Sequence, residues 1–291
     1  MNELSRLLEL ELSKEIIDKI YLEKCIDYDG IDDISINSYI LLKNATDTKH
    51  TALCKKIADN SLQLIDPNKH LSFNGVNPKD VKQVCFLDSL ASEEIKISVC
   101  LGAAGTGKTT LALSYALDQL FNHEKKIYMC KSTALIGRGR AFGPVPGDVR
   151  DKYAPFISSY EMVLKSILGD KSTAYTSILE EKNSLEYLPL EYVRGCTFEN
   201  CTFILDEIQN LTWHELKSTA SRIGQNSKLI LLGDLEQIDT NQSNRDTGIY
   251  KMIASNIFKK SEITSCMQLT QQYRGPVPLL ISNIDKELNN K

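Results

Sequence analysis

"GAAGTGKT", residues 102–109, decides how the rest of the chain is read. It satisfies G-x-x-x-x-G-K-[ST] at every fixed position. It stands between an apolar run, "IKISVCLG" (residues 95–102), and a helical pattern, "KTTLALSYALDQLF" (residues 108–121), which is the context a phosphate-binding loop needs. Gly102, Gly105 and Gly107 let the backbone turn its N–H groups inward around a phosphate. The helix beginning near Lys108 adds its positive end. Lys108 is placed to reach β and γ phosphates, and Thr109 to hold Mg²⁺ through its hydroxyl. Ala103, Ala104 and Thr106 within the loop, and Thr110 just after it, complete the expected nucleotide-binding set. The bland alternative is a glycine-rich turn that binds nothing.

Working outward, continuous apolar runs recur at "KKIYMC" (125–130), "CTFILDE" (201–207) and "SKLILLGD" (227–234), with the helical stretch "WHELKSTASRI" (213–223) between the last two. Apolar strands alternating with helices indicate a parallel sheet covered on both faces. The fold expected is therefore α/β. Three further elements follow the loop in order. "FILDEIQN" (203–210) ends a strand on Asp206, a metal-holding acid, and Glu207, placed to orient or deprotonate an attacking water; the alternative is a pair that only caps the following helix. "LLGDLEQID" (231–239) ends a strand at Gly233 and Asp234, with Gln237 in the next turn as a candidate sensor of the γ-phosphate. "LTQQYRGPVP" (269–278) supplies Arg274, whose guanidinium can contact two phosphate oxygens, or which merely starts a helix. Upstream, "NPKDVKQVCFLDSL" (77–90) carries Gln83, either a reader of the adenine edge or a helix-surface residue.

Composition narrows the class. Of 291 residues, 42% are hydrophobic and 25% charged, as in an ordinary globular protein. No apolar run is long enough to cross a bilayer, and the acidic "MNELSRLLELELSKEIID" resembles neither a signal nor a transit peptide, so the cytoplasm is the default location. A net charge of −4, from 34 basic and 38 acidic residues, argues mildly against avid non-specific binding to nucleic acid. The eight cysteines contain no C-x-x-C pair and read as small hydrophobes in a reducing compartment. Cys196 and Cys201 lack a second pair and a suitably spaced histidine, so no structural metal is expected.

Residues 1–26 read as one amphipathic helix. "SYILLKNATDTKHTALCKKIADNSLQLID" (38–66) suits a small β-rich subdomain. The proline- and asparagine-rich link "PNKHLSFNGVNPKD" (67–80) places a boundary near residue 75, giving units 1–75 and 76–291. Segment 137–184 interrupts the strand–helix rhythm and reads as an insertion; its Arg138, Arg140 and Arg150 either line an RNA path or form a solvated basic loop.

Taken together, these elements resemble the PhoH family of ATPases, close to superfamily-1 helicases, over about Asn77 to Ile281. "GRAFGPVPGDVRDKYAPFISSYEMVL" (139–164), "LEYLPLEYVRG" (185–195) and "ILDEIQNLTWHELKSTASRIGQNSKLILLGDLEQID" (204–239) look specific to it, although Pro144 and Pro146 depart from the expected apolar loop. "SYILLKNA" (38–45) is similar to the subdomain preceding the ATPase where a PIN nuclease leads; no PIN-like acidic array fits the first 30 positions. The resemblance implies a RecA-like P-loop core with a small N-terminal subdomain and Mg²⁺-dependent ATP hydrolysis. It further implies coupling to RNA or single-stranded DNA, and a homo-oligomeric ring, a hexamer, in which Arg274 or an insertion arginine acts across the interface. A nucleotide-driven switch acting on a protein partner is the alternative; a small-molecule kinase fits less well with Asp206, Glu207 and Gln237. There is no aromatic platform of the single-strand-binding kind, and Trp213 is read as packing rather than base stacking.

Overall fold

The amphipathic helix expected over residues 1–26 is replaced, in the computed structural model of this chain, by a strand and a shorter helix. β1 (Leu7–Leu12) pairs in parallel with β3 (Tyr39–Asn44), and α1 (Lys14–Glu23) follows. The reason is visible in "LELEL" at 8–12, which alternates with period two rather than 3.6. Leu10 and Leu12 pack on the local core while Glu9 reaches Lys43 of the neighbouring strand at 2.6 Å. The structure describes residues 7–66, 71–131, 149–238 and 246–277, with positions 280, 281, 284 and 287; the side chains of 149–156, 171 and 174 are outside that description.

β2 (Cys25–Asp27), β4 (Thr51–Ala58) and β5 (Ser61–Leu64) complete a five-stranded sheet in the order β1-β3-β4-β5-β2. Ile17 and Ile20 of α1 close it against Ile40, Leu42 and Leu62. The sheet is tied to the rest of the chain by polar contacts. The Tyr39 hydroxyl donates to Asp88 Oδ2 (2.7 Å), Lys55 Nζ stands 3.4 Å from the same oxygen, and the Asn37 amide donates to the carbonyls of Glu262 (2.6 Å) and Thr264 (3.2 Å).

The second sheet is built from α2 (Val81–Ala91), β6 (Ile97–Gly102), α3 (Lys108–His123), β7 (Lys126–Lys131), α4 (Val149–Leu168), α5 (Ser172–Glu181), β8 (Leu185–Pro189), β9 (Cys201–Asp206), α6 (Trp213–Ala220), β10 (Lys228–Gly233), α7 (Gly248–Ala254), α8 (Asn256–Lys260) and β11 (Thr264–Leu269). Its six strands are all parallel, in the order β11-β6-β10-β9-β7-β8. Each central strand is apolar on both faces because helices cover both. Ile230 and Leu232 of β10 face α2, α3, α4 and α5, while Leu229 and Leu231 face α6, α7 and α8. The core is thus α/β, a parallel sheet sandwiched by helices.

Of segment 137–184, expected as an insertion, the described part from residue 149 onward belongs to the core, and residues 137–148 lie outside the described residues. Tyr160 and Leu164 of α4 and Leu179 of α5 are buried in the main core, and the two helices form the crossover that leads from β7 to the edge strand β8. The segment looked like an interruption because β8, "LEYLP", is too short and mixed to stand out as a strand.

One buried cation holds two of these layers together. Lys228, 5% exposed at the start of β10, donates from Nζ to the carbonyls of Ser89 (3.3 Å), Leu90 (2.5 Å) and Ser92 (2.7 Å) at the carboxyl end of α2. It occupies the place where a helix leaves carbonyls without partners. Lys228→Met keeps the apolar stem but takes this donor from the Leu90 and Ser92 carbonyls, while the Ser89 carbonyl keeps the Ser98 hydroxyl (3.4 Å), so a stability loss of about 1–3 kcal/mol is expected. A denaturant midpoint unchanged from the parent would contradict this.

Candidate active site

The phosphate loop runs from the end of β6 into the first turn of α3. Gly105 (φ +82°) and Gly107 (φ +92°) both adopt the left-handed region, and at both a Cβ would be crowded by a neighbour. At Gly105 it would meet the Cβ, Cγ and Cδ of Arg274 at 3.0–3.1 Å; at Gly107 it would meet Gln83 Nε2 at 3.1 Å. A side chain is therefore opposed by strain and by contact. Inside the loop Thr106 is fully buried and its hydroxyl donates to the Ala103 carbonyl (2.9 Å). The Lys108 ammonium donates to the carbonyls of Gly102 (2.5 Å) and Ala103 (3.1 Å).

At the carboxyl ends of the central strands this loop faces a group of acids. Asp206 ends β9, is 7% exposed, and accepts hydrogen bonds from the Glu207 backbone N–H (2.9 Å) and the Tyr160 hydroxyl (3.3 Å). Burial, then the charge of Glu207, pushes its carboxyl up to about 6, against the pull of Lys131 and Lys108. Glu207 sits in the left-handed region (φ 56°, ψ 39°), a sparsely populated conformation for a non-glycine residue that concentrates at functional sites. Its carboxylate accepts from Gln209 Nε2 at 2.7 Å and lies 3.5 Å from Lys131 Nζ. Asp234, after β10, is also buried, which raises its carboxyl. Its Oδ1 accepts from the Glu236 N–H (3.0 Å), and its Oδ2 has no hydrogen-bond partner among the described residues.

Lys108, Thr109, Asp206, Glu207, Gln237 and Arg274 all line one cavity of about 420 Å³, together with Ala104, Gly105, Gly107 and Thr110 of the loop. Of the remaining expected residues, Gly102, Ala103 and Thr106 form the inner turn of the loop rather than the cavity wall. Gln83 is not a helix-surface residue. It is 3% exposed, donates from Nε2 to the Thr106 carbonyl (2.9 Å) and accepts from the Lys79 N–H (2.7 Å). Gln237 presents an exposed side chain to the cavity, and its carbonyl accepts from Gln209. Trp213 opens α6 behind a Thr212–Glu215 capping box and is 44% exposed, so it is not the packed residue expected. Arg138 and Arg140 lie outside the described residues, as does the side chain of Arg150. Cys54, Cys85, Cys100, Cys130, Cys201 and Cys266 are buried, whereas Cys25 and Cys196 are exposed.

Several residues at the site escaped the sequence reading. Gln209 is fully buried and bridges three segments. Its amide donates to Glu207 Oε2 and to the Gln237 carbonyl (3.0 Å), and its Oε1 accepts from the Asp234 N–H (3.1 Å). Tyr273 anchors the segment before Arg274. Its N–H donates to the Gly105 carbonyl (2.9 Å), its hydroxyl to Asp80 Oδ2 (2.7 Å), and Lys79 stands over its ring at 4.9 Å. Tyr160 and Lys131 complete the wall. Only Gln209 carried a sequence signal, its position two residues after Glu207; the others are brought in by tertiary structure.

A family profile described as PhoH-like protein matches residues 75–277. Protein PhoH2 of Bacillus subtilis (strain 168) is 30% identical over 240 residues, covering 79% of this chain and 53% of that protein. Protein PhoH of Escherichia coli (strain K12) is 32% identical over 157 residues, covering 54% of this chain and 43% of its own length. The chain thus spans about half the length of the curated relatives it matches. Among solved structures, the Pif1 helicase from Candida albicans aligns over 68% of this chain and 41% of that one, at 17% identity and a TM-score of 0.34. With the profile spanning well over half of its residues, the chain belongs to the PhoH-like protein family.

Proposed function

We propose that this protein is a Mg²⁺-dependent ATP hydrolase whose turnover is coupled to RNA or another single-stranded nucleic acid. The observation that carries the hydrolase reading is the convergence of Lys108, Thr109, Asp206, Glu207 and Arg274 on one cavity beside a phosphate loop. The donor set fits a magnesium ion. Thr109 and Asp206 offer hard oxygen ligands, and the buried Asp206 and Asp234 carboxyls, both raised by burial, are groups a divalent cation would stabilise in the charged form. When bound, the ion would neutralise charge on the β and γ phosphates.

The chain's own residues then have distinct tasks. Lys108 and the loop amides hold the phosphates. Glu207 orients a water and accepts its proton as the water oxygen bonds to the γ-phosphorus and the bond to the bridging oxygen breaks, releasing ADP. Gln237 would register the γ-phosphate. Arg274 would stabilise the charge that develops, and its stem, packed on Gly105 of its own chain, favours action on that chain's nucleotide rather than on a neighbour's. We propose in addition a ring of six copies and a division into units 1–75 and 76–291; the two sheets share no strand, which supports the division. The nucleic-acid coupling rests on family membership. The chain has no described helix long and apolar enough to cross a membrane.

Steady-state ATP hydrolysis with and without single-stranded RNA, and with single-stranded DNA, tests this reading. Stimulation by RNA supports the coupling. Turnover indifferent to both polymers would redirect it to a protein partner, and no turnover would end it. Gln83 offers a second test. If its remaining N–H and lone pair read adenine, Gln83→Ala should lose about tenfold in preference for ATP over GTP, the worth of roughly one hydrogen bond. Equal weakening toward both nucleotides would make it a brace of the loop only.

A further inference from the structure

Lys131 belongs to none of the motifs, yet it stands beside Asp206 and Glu207. It ends β7 in register with Asp206 of β9. Its ammonium lies 3.5 Å from Glu207 Oε1 and 5.9 Å from the centre of the Tyr160 ring, and its side chain is only 19% exposed. The other oxygen of Glu207 accepts from Gln209. The two oxygens of this carboxylate are therefore engaged by groups from different elements, Lys131 from the end of β7 and Gln209 from the turn after β9.

We propose that Lys131 is a positioning residue for Glu207, fixing the rotation of the base carboxylate toward the attacking water; this rests on the ATP hydrolase reading above. With Gln209 alone, the carboxylate is held at one oxygen and free to swing about that contact. The second contact removes the swing, and small misplacements of a reacting group carry large rate penalties. Charge adds to geometry. Asp206, Glu207 and Asp234 gather carboxyls at adjacent strand ends, and Lys131 lines the same cavity on the side of the base. A cation there offsets the repulsion between neighbouring acids. A carboxylate offers about four lone-pair sites, so two donors still leave room for the water.

Steady-state kinetics of Lys131→Met and Lys131→Arg, each alone and combined with Glu207→Gln, test this. Lys131→Met should lower kcat about ten- to a hundredfold, part of what general base catalysis supplies, with KM for ATP within about threefold of the parent. Lys131→Arg should restore most of kcat. In the Glu207→Gln background Lys131→Met should cost nothing further, because the charge it positions is gone. A rise in kcat on Lys131→Met would overturn the inference by showing that the lysine restrains the base. A loss of the same size without Glu207, or one carried by KM, would overturn it by showing a phosphate ligand or a packing role. Should Lys131→Met fail to fold, Lys131→Arg matching the parent in one background and not improving on the other keeps the comparison; an arginine variant as poor as one lacking the base would also overturn it. No turnover by the unaltered protein would sink the hydrolase reading and this inference together. Turnover indifferent to Lys131→Met would sink the inference alone.

Discussion

Lys108→Ala is expected to lower kcat/KM for ATP by at least about 10²–10³-fold, the scale on which removing one preorganised charge-stabilising donor acts. Nucleotide affinity should fall with it. The ammonium stands within the loop, on the carbonyls of Gly102 and Ala103, and lines the cavity opposite the acids. No other lysine stands inside the loop, and Arg274 reaches the cavity from outside it, over Gly105. The substitution removes a charge used in both the ground state and the transition state, so KM and kcat should both change. Some fold stability should be lost as well, since the Gly102 carbonyl belongs to the buried end of β6, whereas the Ala103 carbonyl keeps the Thr106 hydroxyl. Titration of a fluorescent ATP analogue together with a turnover assay checks both halves. Retained affinity with lost turnover would move Lys108 from phosphate holder to purely catalytic donor.

How far the sequence revealed this site depends on how locally each part is encoded. The loop at 102–109 is a contiguous string whose spacing is the mechanism, and β6, β9 and β10 are mostly apolar runs, with Ser98 and Thr202 buried among them, because helices bury them on both faces. These parts were legible. β11 was not: Thr264, Ser265 and Gln268 interrupt its apolar character, and only its place beside β6 makes it a strand. β1 was mistaken because leucines at mixed spacing allow a helical reading, and only pairing with β3 selects the alternation. Tyr160 and Lys131 are distant in sequence from the acids they touch, and nothing local marks either. Gln83 shows the reverse case. Its place ahead of β6 singles it out in the sequence, but its two backbone partners, the Lys79 N–H and the Thr106 carbonyl, are visible only where α2 meets the loop. Arg274 is likewise read from motif order, while the packing of its stem on Gly105 of the same chain is visible only in the structure.

Glu207→Gln is expected to separate binding from chemistry more cleanly than any other single change. Turnover should fall by about 10²–10⁴-fold, the usual contribution of a positioned general base, while ATP affinity stays within a few-fold of the parent. The substitution nearly preserves volume. Glutamine keeps an amide oxygen able to accept from Gln209, so the bridge to Asp234 and Gln237 need not break. What is lost is the charge, and with it both the ability to take a proton from water and the ion pair to Lys131. Loss of that negative charge also relieves Asp206, whose carboxyl is raised in part by Glu207. Asp206, the proposed metal ligand, should therefore remain at least as ready to ionise as before, which argues against a metal-binding defect as the cause of lost turnover. The left-handed backbone at 207 is equally demanding for either side chain, so the variant should fold. Binding and turnover measured on the same preparation decide the matter. If Glu207→Gln and Lys108→Ala lose affinity equally, Glu207 is a ligand of the bound nucleotide or its metal rather than the base. If Glu207→Gln turns over normally, the proton must leave by another route, and Asp234, with its unpartnered Oδ2 at the edge of the same cavity, becomes the residue to change next.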